Sequence, residues 1–139
     1  MVSAMTARCS HRLRQGAAAV ELAVCLPVMV LLTLGTLEAT DLVFLRQRLV
    51  TAAFEAARTA TAPGQTSTAA IAAGTSTLTL RGVTGGSVTI SPTVTTAKAT
   101  GTEVRATVTA PFPANCYMEP FLLGATVGDV TVSVTMIRQ

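Results

Sequence analysis

Histidine and aromatic residues are scarce in this sequence, and their scarcity restricts the chemistry that the chain can perform. Among 139 residues there are one histidine, one tyrosine, four phenylalanines and no tryptophan. The histidine is His11, in a basic N-terminal segment, so the rest of the chain cannot form a Ser/His/Asp or Cys/His catalytic arrangement. The acidic residues of the C-terminal half and Cys116 do not follow a metal-ligand spacing. The sequence therefore predicts that the chain is not an enzyme and binds neither a cofactor nor a metal.

Cysteine is also rare, and the three thiols lie in regions of different character. Cys9 is in the basic segment, Cys25 is in an apolar run, and Cys116 is alone in the C-terminal half. A disulfide within that half is excluded because it has no second thiol. We expect Cys116 to be a buried free thiol, and an intermolecular bridge is the alternative.

Charge is sparse and unevenly placed. Ten basic against seven acidic residues give a net charge of +3, but Arg8, Arg12 and Arg14 all precede residue 16. The remaining chain has 10 − 3 = 7 basic and 7 acidic groups, and is neutral. The positive charge is therefore a topogenic signal. No nucleic-acid partner is expected, because binding would require a basic patch in the folded domain.

Residues 22–37 form an apolar run without a charged side chain. With residues 17–21 the run is a helix of about 31 Å, enough to span a hydrocarbon core of roughly 30 Å. Positive charge precedes the run and almost none follows it directly. This asymmetry predicts a single-pass protein of a bacterial-type inner membrane, with a cytoplasmic N-terminus and a periplasmic or extracellular C-terminal domain.

Three kinds of N-terminal signal contain a basic segment followed by an apolar run. A cleaved secretory signal lacks support because residues 35–38 contain no small-x-small cleavage site. A lipoprotein signal fails because the apolar segment follows Cys25 instead of preceding it. A prepilin leader fits best, since Gly16 at the cytoplasmic edge offers a membrane protease a small, flexible residue before Ala17.

Glu21 is an acidic residue within the predicted span. After cleavage the new amine of Ala17 would lie about 6 Å away along the helix. A carboxylate in an apolar helix is costly unless it is paired, so Glu21 is a candidate functional residue. The alternative is that Glu21 snorkels to the cytoplasmic interface.

The N-terminal third of the chain, RQGAAAVELAVCLPVMVLLTLGTLEATDLVFLRQRLVTAAFEAARTA, resembles the signature of TadE-like minor pilins, or pseudopilins, of the tight-adherence (Flp pilus) system. The matching residues are Gly16, Glu21 at mature position five, Pro27, Glu38, and an amphipathic tail that ends in small residues and Arg58. The chain departs from the family at Leu22, where an aromatic residue is usual, and at Ala39, where a glycine or aromatic residue is usual.

This resemblance implies cleavage between Gly16 and Ala17 by a membrane aspartyl prepilin peptidase. It also implies that Glu21 guides incorporation into a pilus, by pairing with a neighbouring N-terminus or through recognition by the assembly machinery. The implied partners are the membrane, the peptidase, the major pilin, other pseudopilins and that machinery. A type II secretion pseudopilin matches less well, because residues 17–21 lack the Phe-Thr-Leu-Ile-Glu start. An unprocessed membrane-tethered binding module is the alternative from another class.

Helical character continues beyond the span, because residues 41–60 contain neither glycine nor proline. One face of this helix collects Leu42, Leu45, Leu49, Ala52, Ala53, Ala56 and Ala60. A second apolar strip holds Val43, Val50, Phe54 and Ala57. We expect the first face to cover the domain's own sheet, and the second strip to contact another subunit. The alternative is that Phe54 packs under a loop of the same chain.

Beyond residue 82 the apolar period changes to two. Residues 87–91, 103–110 and 129–137 alternate apolar with polar side chains, which predicts three strands with one buried face. An antiparallel sheet laid on the helix gives an α+β, pilin-like fold. The glycines of residues 82–86 precede a strand and indicate a turn, not a phosphate loop. Residues 66–80 fit either a short helix or a loop or strand, and residues 117–123 are predicted to form a turn of helix.

Four segments follow from these patterns. Residues 1–16 are the basic prepilin-type leader, and residues 17–37 are the transmembrane helix. Residues 38–62 are the amphipathic stem, and residues 63–139 are a small, exported, β-rich domain.

Overall fold

The computed structural model describes residues 3–96, 100–123 and 126–138, with the backbone alone for residues 3–15. Two α-helices, α1 (Ser3–Thr61) and α2 (Ser67–Leu80), precede three strands. The strands are β1 (Ser87–Ser91), β2 (Glu103–Pro111) and β3 (Asp129–Ile137), with a 3-10 turn at Pro113–Asn115. The predicted α+β class is confirmed. The chain divides into two compact units, residues 1–37 and residues 38–139.

The first unit is helical over its described residues. Its large apolar side chains from residue 20 onward are exposed or half-buried, including Val20, Leu22, Val24, Leu26, Val28, Met29, Val30, Leu31, Leu32 and Leu37. Pro27 lies inside the helix and has no N–H to donate to the carbonyl four residues earlier. In the described part of the chain, α1 is the one helix that is long and apolar enough to cross a membrane. This suggests a single-pass membrane protein.

The second unit is built on an antiparallel sheet with β2 in the centre. Val88 of β1 is opposite Val108 of β2, and Val108 is opposite Val132 of β3. Along β2, buried apolar residues alternate with more exposed polar ones from Glu103 onward. The alternation gives the sheet one apolar face that must be covered and one threonine-rich face open to water.

The C-terminal part of α1 supplies much of that cover. The helix residues Leu45, Leu49, Ala52, Ala53, Ala56 and Ala57 form one buried cluster with Val88, Ala106, Val108 and Phe112. The predicted core-facing side of the helix is therefore confirmed. The prediction that Ala57 lies on the second apolar strip is wrong, because Ala57 is fully buried in the core. The buried face of the helix is therefore wider than the predicted one.

Residues 66–80, which fitted either helix or strand, form α2. Thr66 caps the helix by accepting a hydrogen bond from the Ala69 N–H at 3.3 Å. Several threonines of α2 are accommodated because their hydroxyls donate to carbonyls four residues earlier, as Thr77 does to Ala73 at 2.9 Å. At Gly74 an added Cβ would lie 3.0 Å from the Ala56 Cβ, so the lack of a side chain permits this close approach of α2 to α1.

The predicted turn of helix at residues 117–123 is wrong. These residues form bends and irregular backbone, and the 3-10 turn lies earlier, at Pro113–Asn115. Pro120 has no N–H to contribute to a helix. The three residues after it donate their N–H groups to a side chain of α1, as described below, and a backbone so engaged cannot also form helical hydrogen bonds.

Candidate functional site

The predicted processing residues lie in the first unit, on the surface of α1. Gly16 and Ala17 are both exposed. A Cβ added at Gly16 would meet no atom within 4 Å, so neither packing nor a special backbone angle accounts for glycine at this position. Glu21 is also exposed. The three residues lie within two turns of one helix, and their roles remain predictions.

The predicted subunit-contact strip lies on the second unit. Val43, Val50 and Phe54 are all exposed, although they flank a helix face that is completely buried. Half of the Phe54 surface is exposed (50%), so the described residues cover this ring only in part. Since the spacing of seven and four residues places the three side chains in one stripe, they form a continuous apolar surface. Its contact with another subunit remains a prediction.

The most elaborate polar arrangement of the second unit centres on Glu38. Its side chain is only 8% exposed, and its carboxylate accepts three consecutive backbone N–H groups, those of Phe121, Leu122 and Leu123. Oε1 lies 2.8 Å from the Leu122 nitrogen, and Oε2 lies 2.6 Å from the Leu123 nitrogen. One turn later, Asp41 Oδ2 accepts the Tyr117 N–H at 3.2 Å. We call residues 117–123 the pinned loop.

These contacts determine the electrostatics of the pinned loop. Desolvation raises the pKa of Glu38, but the hydrogen bonds from Leu122, Leu123 and Phe121 outweigh it, so the pKa lies below its ordinary value. Glu38 is therefore ionised at neutral pH.

The neighbouring thiol responds in the opposite direction. Burial raises the pKa of Cys116, and the negative charges of Asp41 and Glu38 raise it further. The Cys116 Sγ donates to the Phe112 carbonyl at 3.1 Å. Cys116 is a free, half-buried thiol, less buried than the sequence led us to expect. With a raised pKa it is a weak nucleophile at neutral pH.

Sequence reasoning noted Glu38 only as a feature of the family resemblance and did not assign it a contact. A signal was present, because Glu38 is the first charged residue after the uncharged run of residues 22–37, and Asp41 follows one turn later. Its partners were not predictable from spacing, since they are more than 80 residues away in the chain. Backbone N–H groups are available in any loop and carry no sequence signature.

Comparison with known proteins gives one match. Residues 16–58 match a family model described as TadE-like protein. This confirms the resemblance over the stretch that begins at Gly16 and ends at Arg58, all of it within α1. No curated protein and no solved structure matches the chain. The match suggests that the chain takes part in the tight-adherence pilus system.

Proposed function

We propose that this chain is a minor pilin or pseudopilin that takes part in the assembly of a tight-adherence (Flp-type) pilus. Residues 17–37 hold it in the inner membrane, with the leader in the cytoplasm and residues 63–139 outside. Its role is structural and not enzymatic, and it acts through packing of α1 against the helices of other subunits. Its partners are the prepilin peptidase, the major pilin, other pseudopilins and the assembly machinery.

The family match carries this proposal, because the match begins at Gly16, the residue after which cleavage is expected. Two features of the helix agree with it. Gly16 and Ala17 are exposed and would be accessible to a membrane protease. Beyond the span, Val43, Val50 and Phe54 leave an apolar stripe that the chain does not cover itself. Exposed apolar surface of this kind is typical of a site of association.

N-terminal sequencing of the membrane-extracted protein tests the processing step. The proposal predicts a mature chain that starts at Ala17 when the prepilin peptidase is present, and an intact leader in a strain that lacks the peptidase. An intact leader in both strains would favour the alternative, a membrane-tethered binding module that never joins a filament.

Substitution of Glu21 tests the assembly step. Glu21→Ala should reduce the amount of this subunit that co-purifies with the major pilin, because the intramembrane carboxylate loses its partner. Glu55→Ala is the matched control, since Glu55 lies half-buried on the outer part of the same helix and pairs with Arg58 only at 3.9 Å. Equal co-purification of both variants with the major pilin would contradict the role of Glu21.

A further inference from the structure

The pinned loop carries four apolar side chains that the second unit leaves uncovered. Tyr117 is 96% exposed and Phe121 is 72% exposed, and Met118 and Leu122 are exposed as well. Their backbones are nonetheless held in place by the carboxylates of Glu38 and Asp41. A segment fixed by its main chain, with its apolar side chains directed outward, has the form of a contact surface.

The position of the anchoring carboxylates indicates what that surface meets. Glu38 is bonded directly to Leu37, the last residue of the apolar run, and Asp41 follows three residues later. Along a helix, both lie within about 6 Å of Leu37. The headgroup layer on each side of a bilayer is about 5–7 Å thick, from the difference between the whole bilayer and its hydrocarbon core. The residues that hold the loop are therefore at headgroup depth if residues 17–37 span the membrane.

The composition of the pinned loop fits that depth. Tyrosine is enriched at membrane interfaces, where its ring lies among the headgroups and its hydroxyl reaches water. The loop contains the only tyrosine of the chain. It has no basic residue, and its one charged side chain, Glu119, is exposed. Binding to this surface would thus depend on burial of apolar side chains, and would not be increased by anionic lipid.

We infer that the pinned loop is an interfacial membrane anchor, in which Tyr117, Met118, Phe121 and Leu122 insert into the headgroup region of the outer leaflet. Glu38 and Asp41 keep the loop at this depth by holding its backbone. The domain is then attached to the bilayer at a second place besides the span. The inference depends on the membrane span, and not on cleavage or on pilus assembly.

The absence of tryptophan permits a direct test in the full-length protein. Phe121→Trp introduces a single tryptophan into the loop, which can be excited separately from Tyr117. Ile137→Trp is the matched control, because Ile137 is similarly exposed (67%) and lies near Thr61 at the far end of the outer part of α1. Thr61 is 23 residues beyond Glu38, about 34 Å along the helix. Leu31→Trp, within the predicted span, reports on insertion.

Each variant is reconstituted in phosphatidylcholine liposomes, with and without lipid brominated near the headgroup end of its acyl chains. For an interfacial residue we expect bromolipid to reduce Phe121→Trp emission at least about twofold, whereas the emission of Ile137→Trp should hardly change. Addition of phosphatidylglycerol or salt should leave the quenching unchanged. The quenching should fall when Glu38→Ala is added to Phe121→Trp, since the loop then loses its attachment.

Three results would overturn the inference. The first is that bromolipid changes the emission of Phe121→Trp as little as that of Ile137→Trp, while it quenches Leu31→Trp. The second is blue-shifted emission that bromolipid does not quench and that depends on the protein-to-lipid ratio, which would assign the surface to a second copy of the chain. The third is emission of Leu31→Trp that bromolipid does not quench, which would show that residues 17–37 do not lie in the bilayer. Because neither the major pilin nor the assembly machinery is present in these liposomes, failure of pilus assembly alone would not produce any of these results.

Discussion

The two parts of α1 differ in how their apolar side chains are exposed. Up to Leu37, large apolar residues are exposed or half-buried on all sides of the helix. After Glu38, one side is buried completely, as at Leu45 and Leu49, while the other stays exposed. A helix that is apolar all round requires an apolar medium, whereas a one-sided helix requires a protein core. The exposure of the apolar side chains changes from the first pattern to the second at Glu38.

The largest expected difference between the two parts comes from the same leucine truncation made in each. Leu49→Ala removes a fully buried side chain and should destabilise the second unit by about 2–5 kcal/mol. Leu31→Ala removes an exposed side chain and should leave that unit unchanged. Hydrogen exchange of the β2 amides, measured by mass spectrometry on the detergent-solubilised chain, compares the two. If hydrogen exchange were accelerated equally in both variants, the division of α1 into an exposed and a core-packed part would be contradicted.

The next effect concerns the acid sensitivity of the contact between Glu38 and the pinned loop. Because the folded-state pKa of Glu38 is lowered, its stabilisation is complete above the unfolded-state pKa and is lost as pH falls through the folded-state value. The unfolding temperature of the second unit should therefore drop in acid, below about pH 4. Glu38→Gln should be less stable than the native protein at pH 7, and the difference should shrink as the pH is lowered.

The control for this titration is Glu103→Gln, because Glu103 is exposed at the start of β2. Its unfolding temperature should follow that of the native protein at each pH. A difference between Glu38→Gln and the native protein that stays constant from pH 7 to pH 3 would show that the carboxylate charge has no part in holding the loop.

A smaller effect is expected from a methyl group added to each of two glycines. Gly74→Ala gains about 1 kcal/mol of helix propensity but forces a Cβ into contact with Ala56 and Val88, so we expect a net loss of about 1 kcal/mol. Gly16→Ala meets no atom and should leave the stability of the second unit unchanged. The unfolding midpoint in guanidinium chloride measures both. A stabilised Gly74→Ala would mean that α2 can move away from α1 without penalty.

The smallest effect is on the thiol of the second unit. Asp41→Asn removes a negative charge that raises the pKa of Cys116, so alkylation at pH 7.5 should become faster, by on the order of twofold. The asparagine oxygen can still accept the Tyr117 N–H, which keeps the loop in place. Asp129→Asn, on the exposed end of β3, is the control and should not change the rate. An unchanged alkylation rate in Asp41→Asn would show that the Asp41 carboxylate does not raise the pKa of Cys116.

Much of this fold could be predicted from local patterns, for reasons that particular residues make clear. The helix beyond the apolar run follows from residues 41–60, which contain neither glycine nor proline, and the strands follow from alternation such as Val104, Ala106 and Val108. Helix α2 was ambiguous because its threonines disfavour a helix locally, and burial of Ala70 and Leu78 decides in its favour. In that case tertiary packing overrides propensity.

The contacts of Glu38 and Asp41 with the pinned loop could not be predicted, because they join distant parts of the chain through backbone groups. The turn of helix expected at residues 117–123 was wrong since the pattern did not reveal that Glu38 takes the N–H groups after Pro120. Similarly, the helical period does not predict the burial of Ala57, because the width of the covered face depends on residues distant in the chain. Val43, Val50 and Phe54 are exposed, and their contact with another subunit stays a prediction.

The central claim is that α1 lies in lipid before Glu38 and in water or protein after it, and a matched pair of cysteines tests it most directly. Leu31 and Phe54 are equally exposed on this helix, at 49% and 50%. Leu31→Cys and Phe54→Cys are compared after Cys9, Cys25 and Cys116 have been replaced by serine, in liposomes dilute enough to separate the subunits. N-ethylmaleimide crosses the bilayer, so it reaches both sites. It reacts with the thiolate, and a lipid environment suppresses ionisation of the thiol.

We expect alkylation of Phe54→Cys to be at least about tenfold faster than that of Leu31→Cys in liposomes, because a thiolate requires water. The two rates should become equal when the protein is unfolded in dodecyl sulfate and urea. Equal rates in intact liposomes would contradict the claim, since two sites of the same exposure would then have the same surroundings.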